Sequence, residues 1–173
     1  VARCAESKDQ LNVLYLMDAS ISLKKSNPNG ERAKILSQSI AGLVAISQFK
    51  EVNFSLTTFG DKFTTRRDWK KIDSSSASVE QNWVEKNVPS LNTESGTNWL
   101  KGLQESKDAI ENSPNAKNSC KLLIWITDGG IDLDSKAKDT QAIQTICGLN
   151  PKTGLGDPKN SLIDEIRSSG IYL

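Results

Sequence analysis

Two unbroken apolar runs in this chain each lead into an aspartate. Val13-Leu14-Tyr15-Leu16-Met17 runs into Asp18, and Leu122-Leu123-Ile124-Trp125-Ile126 runs through Thr127 into Asp128. Ser20 and Ser22 follow the first aspartate at spacings of two and four, and Thr97 sits in a Ser95-Gly96-Thr97-Asn98 stretch between the two. An apolar run of this length fits a strand buried on both faces, and a carboxylate just past it lies at the carboxyl edge of a parallel sheet, where open α/β folds bind ligands. On neighbouring strands the two carboxylates stand about 4.8 Å apart in backbone spacing and repel unless a cation lies between them. Asp18, Ser20, Ser22, Thr97 and Asp128 are all hard oxygen donors. Such a set suits Mg²⁺, Mn²⁺ or Ca²⁺ rather than zinc or copper.

The composition narrows the chemistry further. The 173 residues contain no histidine, which removes Ser-His-Asp and Cys-His catalysis and every histidine-ligated metal. The 22 basic and 21 acidic residues leave a net charge of +1, which makes no electrostatic case for nucleic acid or an anionic membrane. No apolar run approaches the roughly 20 residues that span a bilayer, and the first residues lack the apolar stretch of a signal peptide. With 36% hydrophobic and 25% charged residues, a single soluble domain over residues 1–173 is expected. The three cysteines, Cys4, Cys120 and Cys147, are too dispersed for a zinc cluster.

The elements that must hold these residues follow from periodicity. Residues 11–17 form the first strand and 24–30, rich in Ser, Asn, Pro and Gly, a loop. Residues 31–49 read as a helix whose face carries Leu36, Ile40, Leu43, Val44 and Ser47. Residues 51–59 and 62–69, separated by Gly60-Asp61, read as a hairpin, with Lys62, Arg66 and Arg67 marking the second arm as an exposed antiparallel edge. Residues 74–78 read as a serine-rich loop and 79–88 as a short helix. Residues 89–96 are a loop, and Asn98 caps a helix over 99–110 with Leu100, Leu103 and Ile110 inward. After a loop over 112–119, residues 121–127 are the second buried strand. Residues 135–147 read as a helix, 148–156 as a loop, Asp157-Pro158 as the start of a last helix with Leu162, Ile163 and Ile166 inward, Gly170 as its stop, and 171–173 as the beginning of a strand. Strands alternating with helices, the strongest of them unbroken apolar runs, imply an α/β doubly wound, mostly parallel sheet with one antiparallel edge strand and helices on both faces.

Asp18-Ala19-Ser20-Ile21-Ser22, Ser95-Gly96-Thr97-Asn98 and Thr127-Asp128-Gly129 together resemble the three segments of the metal-ion-dependent adhesion site (MIDAS) of von Willebrand factor type A domains. The resemblance covers almost the whole chain. It implies a Rossmann-like fold in which Ser20, Ser22 and Thr97 contact the ion while Asp18 and Asp128 hold it directly or through waters. It implies a protein partner, such as a host or matrix protein or a partner subunit, whose acidic residue completes the coordination. Neutral hydroxyls leave the ion under-neutralised and so attractive to an outside carboxylate. The family usually carries Gly at the position of Ile21. Its last strand and helix have no counterpart here, so a truncated domain of a larger parent polypeptide is expected. The Phe59-Gly60-Asp61 turn, the insert over 129–157 and Ile166-Arg167-Ser168-Ser169-Gly170-Ile171 resemble actinobacterial or other Gram-positive surface and pilus-tip adhesins. A secreted or cell-surface location follows from that resemblance.

Other readings stand beside this one. An intracellular type A assembly module of a multi-subunit machine shares the fold. A haloacid-dehalogenase-like phosphatase also places an aspartate after strand one, but it needs a second acid where Ser20 stands. Asp132 and Asp134 read as solvated loop charges, the four tryptophans as core or partly buried singles, and the Asn53-Phe54-Ser55 sequon as part of a strand. Cys4 and Cys120 each precede a buried strand, at the end away from the metal, which favours a Cys4–Cys120 disulfide; Cys120–Cys147 is the rival, since a helix ending at Cys147 could run back along the domain.

Overall fold

The apolar runs become the centre of a five-stranded sheet with helices on both sides. The computed structural model describes residues 2–26, 30–45, 48–127, 130–133, 135–150, 153, 156 and 158–173. In chain order the elements are α1 (Ala2–Ala5), β1 (Gln10–Asp18), α2 (Leu23–Ser26), α3 (Glu31–Val44), β2 (Glu51–Phe59), β3 (Phe63–Lys71), α4 (Ser74–Asn87), α5 (Trp99–Glu111), β4 (Ser119–Ile126), α6 (Lys136–Cys147), α7 (Leu162–Ser168) and β5 (Ile171–Tyr172). The strand order is β3-β2-β1-β4-β5. β1 is parallel to both β2 and β4, β5 is parallel to β4, and β3 is antiparallel to β2 at the edge.

β1 is buried along its whole length, and its alternation feeds two cores. Leu11, Val13, Tyr15 and Met17 pack with Leu36 and Ile40 of α3 and Val84 of α4. Leu14 and Leu16 pack with Leu103 and Ile110 of α5, Ile146 of α6 and Ile166 of α7. Each such side chain contributes roughly 1.5–3 kcal/mol on burial. The strand that ends in Asp18 is therefore anchored on both faces, and the carboxylate inherits a rigid base. The phenol and amide exceptions in β1 are satisfied, Gln10 donating to Asn12 Oδ1 and to the Pro114 carbonyl. Tyr15 Oη shares a 2.7 Å hydrogen bond with Ser39 Oγ. Asn12 Nδ2 donates to Ser113 Oγ and Ser119 Oγ at the far end of the sheet. Asn53 is buried and donates to Asn12 Oδ1, so its sequon is structural.

Four boundaries differ from the periodicity. The expected loop over 24–30 begins with the single turn of α2. α3 stops at Val44 rather than 49, and Val44 is exposed while Leu36, Ile40 and Leu43 are buried; Ser47 lies outside the described residues. The serine-rich stretch at 74–78 is the first turn of α4, because Asp73 accepts from the Ser75 and Ser76 amides while Ser76 Oγ accepts from the Asp73 amide, a reciprocal capping box. α7 is capped by Ser161, whose Oγ accepts from the Asp164 amide. Asp157, the expected cap, lies outside the described residues. Asn98 caps α5 as expected, accepting from the Lys101 amide at 3.0 Å.

The Asp73 cap carries a pH signature. Hydrogen bonds from the Ser75 hydroxyl and from Ser76 hold its pKa at about 2. A carboxylate depressed in the folded state stabilises the fold above its unfolded pKa and loses that contribution as pH falls through the folded one. Asp73→Ala is therefore expected to unfold at lower urea than the parent at neutral pH. The two denaturation midpoints should converge as the pH approaches 2.

Cys4 of α1 and Cys120 of β4 are joined in a disulfide, and Cys147 is a free, exposed thiol. The Cys120–Cys147 alternative is thereby excluded. The bond lies at the end of the sheet opposite Asp18, since Cys120 is in register with Leu11 near the start of β1.

Candidate functional site

The parallel registry brings the ends of β1 and β4 together. Met17 pairs with Ile126, so Thr127 follows beside Asp18. Asp18 is fully buried. Its Oδ1 accepts from the Ser20 amide at 2.7 Å and its Oδ2 from Thr127 Oγ1 at 3.0 Å. Its carbonyl accepts from Arg32 of α3 at 2.6 Å, and the same guanidinium reaches Asn92. The carboxylate is thus held from the backbone of its own loop and from the neighbouring strand. That fixes its rotamer without neutralising its charge.

Ser20 and Ser22 turn toward each other, with their hydroxyl oxygens 2.9 Å apart. The loop that carries them is pinned to the segment carrying Thr97. Ala19 and Ile21 exchange backbone hydrogen bonds with Glu94, at 3.0 and 2.8 Å. Thr97 in turn pairs with Asp132 in a short antiparallel bridge. Ser20, Ser22 and Thr97 line one cleft of about 980 Å³ at the carboxyl edge of the sheet. Asp128, the fifth expected donor, lies outside the described residues, as does Asp134. Asp132 pairs through its backbone with Thr97 and lines the cleft.

Ile21 answers the question raised by the family's glycine at that position. Asn115 is the only non-glycine residue with a positive φ among the described residues. The Ile21 backbone therefore lies in a region open to β-branched residues, and its side chain is 52% exposed beside the cleft.

Two positioning contacts were not visible in the motif. Asp61, in the β2–β3 turn, accepts hydrogen bonds from the Ser95 amide at 3.2 Å and from the Ser95 hydroxyl. The hydroxyl bond is the main reason its pKa lies below the ordinary carboxylate value. Close approach makes glycine necessary on both sides. A Cβ on Gly60 would lie 2.2 Å from Glu94 Cβ, and one on Gly96 would lie 2.3 Å from Asp61 Oδ1 and 3.1 Å from the Asp132 carbonyl. Thr127 is the second addition, and its proximity to Asp18 follows only from the β1–β4 register.

Gly96→Ala should consequently displace the Thr97 segment. We expect Mg²⁺ affinity to fall about tenfold to a hundredfold, the usual range for losing a support of a metal ligand. Adding Asp61→Ala should restore part of it, because the severe clash is with that carboxylate. Titration calorimetry of the single and double variants reads this directly; an undiminished affinity in Gly96→Ala would show that the Thr97 segment is not a ligand arm.

The residues present fit a hard divalent cation. The hydroxyls of Ser20 and Ser22 are close enough to be neighbouring ligands, Thr97 lines the same cleft, and a buried carboxylate backs them. Among the described residues no group of three or more His, Cys, Asp or Glu side chains converges.

No protein-family model matches the sequence, and no curated protein matches it. Solved structures do. Proximal thread matrix protein 1 from the mussel byssus, in a structure with a zinc-occupied MIDAS motif, superposes with a TM-score of 0.59 at 13% identity, covering 95% of this chain and 37% of that one. The PilB minor pilin of Streptococcus sanguinis gives 0.53 at 18% identity, with 70% and 30% covered. A von Willebrand factor type A protein from Catenulispora acidiphila gives 0.52 at 17% identity, with 94% and 42% covered. The chain thus spans a little over a third of the byssus protein's length. At these identities the likeness establishes the fold, which is von Willebrand factor type A-like.

Proposed function

We propose that this chain is a divalent-cation-dependent protein-binding or adhesion module of a secreted or cell-surface protein. Mg²⁺ is the expected ion, with Mn²⁺ or Ca²⁺ as substitutes. Ser20, Ser22 and Thr97 would contact it, Asp18 and Asp128 would hold it directly or through water, and a carboxylate of a protein partner would complete the shell. The observation that carries the proposal is that the paired hydroxyls of Ser20 and Ser22 share one cleft with Thr97 of a distant segment, beside the buried Asp18 carboxylate. The ion supplies a positive charge that three neutral ligands leave partly uncompensated, so it attracts an external Asp or Glu. The chain's part is to fix those ligands and keep the cleft open to a partner. No catalytic role is assigned: the position that a phosphatase would need as an acid is Ser20, and general-base chemistry through histidine has no residue to use.

The Cys4–Cys120 bond supports an oxidising compartment, where such bonds form and persist, and speaks against the intracellular assembly reading. Pilin and byssus proteins of like fold support an extracellular role. Titration with Mg²⁺ is expected to show one site per chain and a metal-dependent rise in melting temperature. Absence of both would overturn the proposal.

A further inference from the structure

We infer that the cleft beside the cation site takes an acidic segment of a protein partner carrying two carboxylates and an apolar side chain. One carboxylate would reach the ion, Lys24 and Lys25 would receive the second, and the apolar side chain would cover Ile21. This rests on the cation-dependent reading and deepens it.

Three observations carry the inference. The cleft, at about 980 Å³, is far larger than one carboxylate and of a size that seats several side chains. Lys24 and Lys25, on the short turn of α2, line it two and three residues past Ser22. Both are exposed, and among the described residues neither ammonium makes an ion pair or hydrogen bond. Other lysines do: Lys50 pairs with Asp9, Lys70 with Glu80, Lys71 with Glu51 and Lys107 with Glu111 and Glu165. The ammonium groups of Lys34, Lys86, Lys101, Lys117 and Lys136 likewise make none among the described residues, so what sets Lys24 and Lys25 apart is their place on the cleft beside Ser20 and Ser22, not the lack of a partner. The one carboxylate lining the described cleft is Asp132, and it makes no salt bridge to either lysine. The apolar wall is the third observation. Ile21, between Ser20 and Ser22, is 52% exposed, and Ile131 stands partly buried in the same lining. The two ammonium groups outnumber the single carboxylate of the described lining, and with an exposed apolar side chain beside them they complement a ligand that is acidic and apolar at once.

The test uses a fluorescent heptapeptide with Asp and Glu flanking a Leu, and a second peptide in which one acid is replaced by its amide. Binding is read by anisotropy in Mg²⁺ at low salt, and Mg²⁺ binding is read separately by calorimetry without peptide. The doubly acidic peptide is expected to bind the parent protein. K24Q combined with K25Q should weaken it about tenfold or more, while Mg²⁺ binding without peptide stays at least as tight as the parent's, because removing positive charge near a cation site does not weaken it. The inference fails if the double variant binds the peptide as the parent does, or if the singly acidic peptide binds as tightly. It fails too if a Mg²⁺-loaded parent ignores both peptides, or takes a sulphated oligosaccharide instead. A parent that binds no Mg²⁺ yet holds the peptide through Lys24 and Lys25 in EDTA would remove the cation reading and leave the lysine surface standing.

Discussion

Asp18→Asn is expected to weaken Mg²⁺ binding by a hundredfold or more while leaving the metal-free protein folded. The substitution keeps the shape of a fully buried side chain. Its remaining oxygen can still accept from the Ser20 amide, and the Thr127 hydroxyl, which now donates to Oδ2, can turn to accept instead. What is lost is the negative charge. With Ser20, Ser22 and Thr97 neutral, that charge is one of the two the proposed shell supplies, the other being Asp128's, and Mg²⁺ gives up water reluctantly. Linkage turns the loss into a stability readout. An ion at a hundred times its dissociation constant stabilises a folded protein by about 2.7 kcal/mol. For a domain of this length each kcal/mol moves the melting temperature by about 2–4 °C. The parent should therefore melt several degrees higher in Mg²⁺ than in EDTA, and the variant at one temperature in both. In EDTA the two proteins should differ by about 1 kcal/mol or less, since packing is conserved. A variant that keeps the metal-dependent rise would show that the ion, if bound, sits elsewhere.

The sheet was legible because its strongest signals are global. Two unbroken apolar runs of five residues, bounded by polar residues, fit central strands, and the parallel register of β1 and β4 puts Asp18 and Thr127 side by side at one edge. The hairpin was legible from the Gly60-Asp61 break and the charged arm after it. What escaped was local and polar. A run of serines after Asp73 serves equally as a loop and as the first turn of a capped helix, and the Asp73–Ser76 capping box together with the burial of Ala77 and Val84 in the first core decides for the helix. The turn of α2 is too short for any period to register, yet it sets Lys24 and Lys25 on the cleft. At the site, the motif marked Ser20, Ser22 and Thr97, which line one cleft, and it contained Thr127 without indicating its bond to Asp18; the contact of Asp61 with Ser95 lay outside it. These two contacts are set by strand register and by the approach of two turns, which a linear spacing does not encode.

Removing the Cys4–Cys120 bond is expected to cost about 4–5 kcal/mol of stability, the loop-entropy estimate for a closed loop of roughly a hundred residues. Here the two cysteines are 116 residues apart in sequence. That is about a quarter or more of the roughly 5–15 kcal/mol by which domains are ordinarily stable. The Cys4→Ser, Cys120→Ser double variant should therefore unfold at markedly lower urea. Two mechanisms could produce a loss, and they predict different things. If the bond acts by restricting the unfolded chain, the loss is global. If it only clips α1 to the sheet, unfolding of the sheet is little changed, and only Cys4 and its neighbours gain hydrogen exchange. The burial of Cys120 within the first core argues for the global case, because opening that end exposes residues in register with the start of β1. Cys147 supplies the control: in the native oxidised protein a thiol reagent should label it alone, and in the reduced, unfolded protein all three cysteines. Mg²⁺ affinity should not move in the double variant under conditions where it stays folded, since the bond and the hydroxyl cleft lie at opposite ends of β1. A loss of affinity there, with the sheet intact, would mean that the sheet transmits strain from one end to the other and does not act as a rigid base for the site.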